Sequence, residues 1–348
     1  MTPAPNEQQI REILSQVPYP GFSRDILSFG VVREISIGEE ILVQMVVSTN
    51  EPGVASELRD RVGKALSPLN RPCKILIDVQ APVQSSGQGP IPIPGVNHVI
   101  AVASGKGGVG KSMVAVNLAA SLAAQGYRVG LCDCDLYGPS VAFMCGTRER
   151  PSADEAGHIL PITCHGMRIM SMGLLLEDNS PAVLRGPMVT RYTQQFLRNV
   201  VWGELDILVL DLPPGTGDIQ LTVVQTIPLA GAVIVTTPQE VALIDARKAV
   251  AMFQKTNVPI LGLVENMAYF IAPGESVRHE IFGSGGGEKE SLRLGVPFLA
   301  SLPLDPCVRI ASDAGTPVIL SNPENRVSSL IAQVAVQISS MLKLERSF

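Results

Sequence analysis

Two regimes of apolar and polar positions divide the chain. Over the first 80 residues, short periodic runs predict a helix over Asn6–Val17, strands over Gly30–Ile37 and Ile41–Val47, a helix over Val54–Leu66 and a strand over Lys74–Val79. Gly38-Glu39-Glu40 fits a short hairpin loop between the two central strands. This part reads as a small α+β domain, residues 1–80. Residues 81–97 carry Pro82, Pro90, Pro92 and Pro94 with Gly87, Gly89 and Gly95, a composition that sustains neither helix nor central strand and reads as a linker. From 98 to 348 apolar strands alternate with amphipathic helices. Strands are expected over His98–Ala103, Arg128–Cys132, Met167–Met172, Ile207–Leu210, Ala232–Thr236, Ile260–Val264 and Phe298–Leu302. Several are apolar almost throughout, as strands covered on both faces are. Helices are expected over Lys111–Ala124, Thr190–Val200, Val241–Lys255, Glu288–Leu294 and Asn325–Leu342. The fold class is α/β: a mostly parallel sheet flanked by helices, preceded by a small α+β domain.

Composition narrows the function classes. At 46% hydrophobic and 17% charged residues the chain excludes disorder as its main state. Aromatic residues, at 4%, are too few for a protein that stacks on bases. A net charge of −5 argues against broad adhesion to nucleic acid or anionic membrane. Six cysteines at irregular spacing do not make a secreted disulfide framework. The amino terminus, with Glu7, Arg11 and Glu12, lacks the apolar core of a signal peptide, and the most apolar stretch, Leu221–Val235, is broken by Gln225, Thr226 and Pro228. The expectation is a soluble, cytoplasmic protein with no nucleic-acid or membrane partner.

The chemistry concentrates in Gly105-Lys106-Gly107-Gly108-Val109-Gly110-Lys111-Ser112, which satisfies G-x-x-x-x-G-K-[ST] between an expected strand and an expected helix. Glycines let backbone N–H groups converge on phosphate oxygens, and the helix N-terminus adds a favourable dipole. ATP is the expected ligand, with Lys111 reaching the β/γ-phosphates and Ser112 ligating Mg²⁺. Asp211, ending an apolar strand, is the expected carboxylate behind Mg²⁺. In Leu131-Cys132-Asp133-Cys134-Asp135, period-two geometry places the aspartates on one face and the cysteines on the other. Asp133 is expected in the Mg²⁺ shell and Asp135 beside the γ-phosphate, where it would orient the attacking water.

The second lysine, Lys106, gives K-G-G-V-G-K-S, which resembles the deviant Walker-A class of MinD, ParA, the nitrogenase iron protein and the Mrp family. That resemblance implies a homodimer sandwiching ATP, with Lys106 reaching the partner's phosphates as negative charge develops. Asp133–Ser140 (DCDLYGPS), Leu184–Met188 (LRGPM), Asp211–Asp218 (DLPPGTGD), Glu265–Phe270 (ENMAYF) and His279–Glu288 (HEIFGSGGGE) are similar to one branch, the Mrp family of iron–sulfur cluster carrier ATPases. The similarity spans about residues 97–320 and implies ATP, Mg²⁺ and an iron–sulfur cluster, with assembly or client proteins as partners. It also implies that Asn266 contacts the adenine. The first 80 residues resemble the MIP18-type domain fused ahead of bacterial members.

Two departures stand out. The branch places a Cys-x-x-Cys pair of cluster ligands between the aromatic pair and the His-Glu-Ile-Phe-Gly stretch, where this chain has Ala272 and Glu275. The N-terminal domain carries Ser48-Thr49-Asn50-Glu51-Pro52-Gly53 in place of a cysteine-bearing stretch. Cys73, Cys132, Cys134, Cys145, Cys164 and Cys307 read as structural. The resemblance implies a cluster carrier. The missing ligands leave a second reading, a cluster-free ATP-dependent dimerisation switch or assembly adaptor. A MinD/ParA-like positioning ATPase is the third, and it would need a basic amphipathic tail that Lys343, Glu345 and Arg346 do not supply.

Overall fold

The computed structural model describes residues 5–18, 20, 25–27, 31–38, 40–48, 53–69, 71–80, 90–135, 138–154, 158–171, 174, 193–194 and 197–344. The chain divides into two compact units, Met1–Gln88 and Gly89–Phe348.

In the first unit α1 (Glu7–Leu14) opens on a capping box: Asn6 Oδ1 accepts the Gln9 N–H at 2.8 Å and Gln9 Oε1 accepts the Asn6 N–H at 3.0 Å. Strand β1 (Val32–Ile37) pairs antiparallel with β2 (Ile41–Ser48), which pairs in parallel with β3 (Cys73–Gln80). A parallel pair needs a crossover, and α2 (Val54–Leu66) provides it. Ile41, Val43, Met45 and Val47 bury one face of β2, alongside Leu58, Val62 and Leu66 of α2 in one apolar core.

The second unit is built on an eight-stranded sheet. Its strands are β4 (Val96–Ala103), β5 (Val129–Asp133), β6 (Ile162–Cys164), β7 (Met167–Ser171), β8 (Leu205–Asp211), β9 (Gly231–Thr236), β10 (Ile260–Glu265) and, last in the chain, Phe298–Ser301. Between those last two, a short antiparallel hairpin joins β11 (Phe270–Ile271) to β12 (Arg278–His279), so Phe298–Ser301 is β13. The order is β13-β10-β9-β4-β8-β5-β7-β6, parallel everywhere except the β6 edge. Strands β5, β8 and β9 are buried at every position, as strands covered on both faces must be. Helix α3 (Lys111–Ala124) lies against the sheet centre and buries Val114–Leu122 without a break. Its buried Asn117 is satisfied, donating to the Met113 carbonyl at 2.9 Å and accepting the Ile319 N–H at 3.2 Å.

The remaining helices are α4 (Val141–Met144), α5 (Asp218–Thr226), α6 (Glu240–Lys255), α7 (Gly286–Leu294), α8 (Pro306–Asp313), α9 (Val318–Ser321) and α10 (Arg326–Leu342). Asn325 caps α10 by accepting the Val327 N–H at 2.7 Å, and Val327, Ile331, Val334 and Ile338 turn one stripe into the core beside α3. No described helix is long and apolar enough to cross a membrane.

Several details differ from the sequence expectations. Helix α5, Asp218–Thr226, is not among the expected helices and precedes the expected strand, which begins at Gly231. Thr222 and Thr226 fit the helix interior by returning their hydroxyls to the Asp218 and Thr222 carbonyls at 2.7 and 2.6 Å. Residues 81–89 of the expected linker lie outside the described residues. From Pro90 onward the chain belongs to the second unit, with Ile93 buried and the Ile91 N–H on the Thr226 carbonyl at 3.1 Å. The stretch 184–188 and parts of the helix expected over Thr190–Val200 also fall outside.

Candidate nucleotide site

The site lies along the carboxyl ends of the central parallel strands, where α/β sheets collect their ligand-binding loops. The residues leaving β4 form the glycine-rich loop. Gly108 and Gly110 take left-handed backbone conformations, φ +79° and +82°. A Cβ on Gly105 would stand 2.1 Å from the Asp245 carbonyl of α6, and one on Gly110 would stand 2.2 Å from Asn266 Nδ2. Glycine is therefore required at both positions, by packing at the first and by packing and conformation at the second. The loop is tied to its neighbours: Ser104 Oγ donates to the Lys106 carbonyl at 2.9 Å, and the Gly215 N–H reaches the Ser104 carbonyl at 2.9 Å. Helix α3 starts at Lys111 with no side-chain cap, leaving its first N–H groups to face a ligand.

Lys111 and Asp211 form a buried ion pair, 6% and 0% exposed, with Ser112 Oγ 3.2 Å from the Lys111 ammonium. The second Asp211 oxygen, Oδ2, is buried without a hydrogen-bond partner. Burial pushes the Asp211 carboxyl up, opposed by the Lys111 charge and by hydrogen bonds from Lys111 and Ser112. A lone carboxylate oxygen beside a serine hydroxyl, both at the mouth of the loop, is a donor set that suits Mg²⁺.

The two aspartates after β5 have different surroundings. Asp133 is fully buried: its Oδ1 accepts the Asp135 N–H at 3.0 Å, and its Oδ2 accepts Ser140 N–H, Val141 N–H and Ser171 Oγ at 2.9, 3.1 and 3.0 Å. Its carboxyl is pushed up to about 6 by burial and by the Asp211 charge, while those donors pull it down. Asp133 thus anchors the loop that carries Asp135. Asp135 accepts the Gly138 N–H at 3.2 Å and lines a cavity of about 430 Å³ with Pro213, Pro214, Gly217 and Gln220.

Lys106 is exposed on the loop. Asn266 is buried, donates through Nδ2 to the Val109 carbonyl at 2.9 Å, and lines a cavity of about 200 Å³ with Gly110, Met113, Met267 and Leu304. Its visible task is to hold the phosphate loop from beneath. A residue the sequence reading left out is Glu265, buried at the end of β10, which accepts the Gly287 N–H at the start of α7. Burial pushes its carboxyl up against that bond. The signal was present: Glu265 closes an otherwise apolar strand, Ile260–Val264.

The expected cluster positions fall on the short hairpin. Ala272 and Glu275 lie between β11 and β12, and Glu275 is exposed and bonded to His279 Nε2 at 3.1 Å. Among the described residues no group of three or more His, Cys, Asp or Glu side chains is placed to hold a metal. All six cysteines are free. Cys132 and Cys134 are buried with sulfurs 3.9 Å apart. Burial is the largest influence raising the thiols of Cys73, Cys132, Cys145 (to about 12) and Cys164, and Asp305 raises Cys307.

A strand, a glycine-rich loop and a helix whose first lysine meets a strand-end aspartate define a P-loop nucleotide hydrolase. A family model described as ParA, NUBPL iron-transfer P-loop NTPase, matches residues 95–339. The chain belongs to that family, and it is a nucleotide-binding P-loop ATPase. It is 45% identical over 333 residues to an iron–sulfur cluster carrier protein of Deinococcus radiodurans, covering 95% of this chain and 94% of the relative. It is 41% identical to the iron–sulfur cluster carrier protein of Haemophilus influenzae, covering 97% and 93%. Among solved structures, a nucleotide-binding protein of Archaeoglobus fulgidus in complex with ADP matches with TM-score 0.57 and 38% identity, over 63% of this chain and 87% of that one. The cell-division ATPase MinD of Pyrococcus furiosus shares the fold, with TM-score 0.54 and 21% identity over 70% and 99%.

Proposed function

We propose that this chain is an ATP-hydrolysing member of the iron–sulfur cluster carriage machinery whose cluster ligands are not on its own β11–β12 hairpin. The observation that carries the reading is the contrast between its two sites. The glycine-rich loop carries the Lys111–Asp211 pair with Ser112 beside it, while the hairpin offers Ala272 and Glu275 and no thiol. The cluster is cargo here, and a ligand-bearing partner supplies the thiolates.

In this reading the Gly107–Ser112 backbone and the α3 N-terminus cradle the ATP phosphates. Lys111 leaves Asp211 for the β/γ-phosphates when nucleotide enters, because the phosphate charge outweighs one buried carboxylate. Ser112 and the free Asp211 oxygen would hold Mg²⁺, which neutralises phosphate charge when bound. Asp135 orients the attacking water from the cavity it shares with Pro213 and Pro214, and Asp133 fixes that loop one step back. Asn266 sets the loop from below, and the cavity of about 200 Å³ that it lines receives the adenine. Lys106, exposed on the loop, reaches a second copy's phosphates across an ATP-bound homodimer.

Installing the ligands tests the assignment. After anaerobic incubation with iron and sulfide, the double variant Ala272→Cys, Glu275→Cys is expected to retain about one 4Fe–4S cluster per two chains, with its visible absorption band. A double variant that retains no more iron than the parent would refute the hairpin as the place where ligands were lost.

A further inference from the structure

A third cavity, about 550 Å³, opens beside α4. Its volume falls in the range of roughly 300–1,000 Å³ typical of ligand sites. Its floor is closely packed: Gly146 and Gly315, both left-handed (φ +68° and +72°), meet backbone to backbone so tightly that a Cβ on Gly315 would stand 2.3 Å from the Gly146 Cα. His165 Nε2 lies 3.1 Å from the Cys145 carbonyl and 3.2 Å from the Gly315 carbonyl, so it must carry its proton, donating to one or both. These contacts lock the loop after α4 to the end of α8.

The walls combine two chemistries. Phe143, 60% exposed, stands with Ala142, Pro139 and Leu174 as an apolar side. Arg148 and Arg150, both exposed, form the other side, with Glu149 between them in the chain. The lining carboxylate, Asp313, is engaged by Arg309 at 2.6 Å. In a chain of net charge −5, this cavity brings two guanidinium groups and a large exposed phenyl ring into one lining.

We propose that this cavity docks an acidic segment of a partner protein, its carboxylates meeting Arg148 and Arg150 and a bulky apolar side chain between them covering Phe143. Paired guanidinium forks suit carboxylates, and the phenyl ring supplies the desolvated anchor such interfaces need. The site also has a physical link to the nucleotide. Helix α4 begins at Ser140 and Val141, whose N–H groups are held by Asp133, the carboxylate that also holds the Asp135 N–H. The proposal does not depend on where the cluster ligands lie, since it concerns protein binding alone.

The test uses the full chain and a fluorescein-labelled peptide, Gly-Glu-Asp-Leu-Phe-Glu-Asp-Gly, read by fluorescence anisotropy. Its control is the amide counterpart, Gly-Gln-Asn-Leu-Phe-Gln-Asn-Gly. Saturable binding of the acidic peptide is expected, weakening with ionic strength and absent for the amide peptide. Arg148→Glu with Arg150→Glu should weaken it roughly tenfold or more, and Phe143→Ala separately, while ADP affinity and melting temperature stay at parental values. Failure of the acidic peptide to saturate, equal binding of the amide peptide, or undiminished binding by the charge-reversed variant would each overturn the proposal.

Discussion

The Lys111–Asp211 pair offers the sharpest physical test of the nucleotide site. Both groups are buried, and Asp211 already has one oxygen without a partner. Lys111→Met keeps the length and apolar stem of the side chain but leaves a carboxylate in the interior without its counter-charge. Removing one member of a buried pair costs roughly 3–5 kcal/mol, because the remaining charge keeps its desolvation penalty and loses the attraction that offset it. For a unit the size of Gly89–Phe348, at about 2 °C per kcal/mol, the ligand-free melting temperature should fall by roughly 6–10 °C. Asp211→Asn should fall by a similar amount, stranding the ammonium instead. The double variant Lys111→Met, Asp211→Asn removes both charges and should recover most of that loss, giving a large favourable coupling in a double-mutant cycle. Calorimetry on the ligand-free protein measures all four melts, and ADP titration should show binding lost in every variant lacking Lys111. Additive losses in the double variant, or a Lys111→Met melt equal to the parent, would refute the buried pair.

Three further outcomes follow from the same geometry. Lys106→Ala should retain ADP binding yet lose ATP-dependent dimerisation and about a thousandfold in hydrolysis, measured by light scattering and phosphate release; parental turnover would remove Lys106 from the reaction. Asn266→Ala leaves the buried Val109 carbonyl without its donor, at a cost of about 1–3 kcal/mol in stability, and should weaken ADP through a loosened loop. Glu265 holds its proton more tightly folded than unfolded, so its contribution is fullest below the ordinary value of 4.5 and is lost as pH rises through the folded value. Glu265→Gln should flatten that part of a stability–pH profile, and an unchanged slope in chemical denaturation would place the dependence elsewhere.

Seven of the eight strands of the large sheet were legible as mostly apolar runs, the short edge strand β6 was not, and the phosphate loop was legible because its glycines and lysines occur at fixed spacing between strand and helix. Helix α3 begins and ends where the pattern places it, Lys111–Ala124. What escaped was set by tertiary contacts. Helix α5 was hidden inside a longer apolar stretch whose threonines bond back along the helix, and the two-residue strands β11 and β12 carry no periodicity. Spacing placed Asp133 and Asp135 on one face and suggested the Mg²⁺ shell for Asp133, but it could not show how completely Asp133 is taken up by hydrogen bonds from the chain. The four chain donors on Asp133 come from Asp135, Ser140, Val141 and Ser171, the last on a different strand. Likewise, the resemblance implies an adenine contact for Asn266, whereas the fold shows its amide donating to the loop carbonyl of Val109.

The central claim is that a complete nucleotide site sits in a chain whose own hairpin binds no cluster. Bound iron and phosphate release measured on one sample of the unmodified protein, after anaerobic incubation with iron and sulfide and then desalting, test it together. The account predicts Mg²⁺-dependent ATP hydrolysis with no stoichiometric iron and no cluster absorption. Retention of about one 4Fe–4S cluster per two chains by the unmodified protein would contradict it.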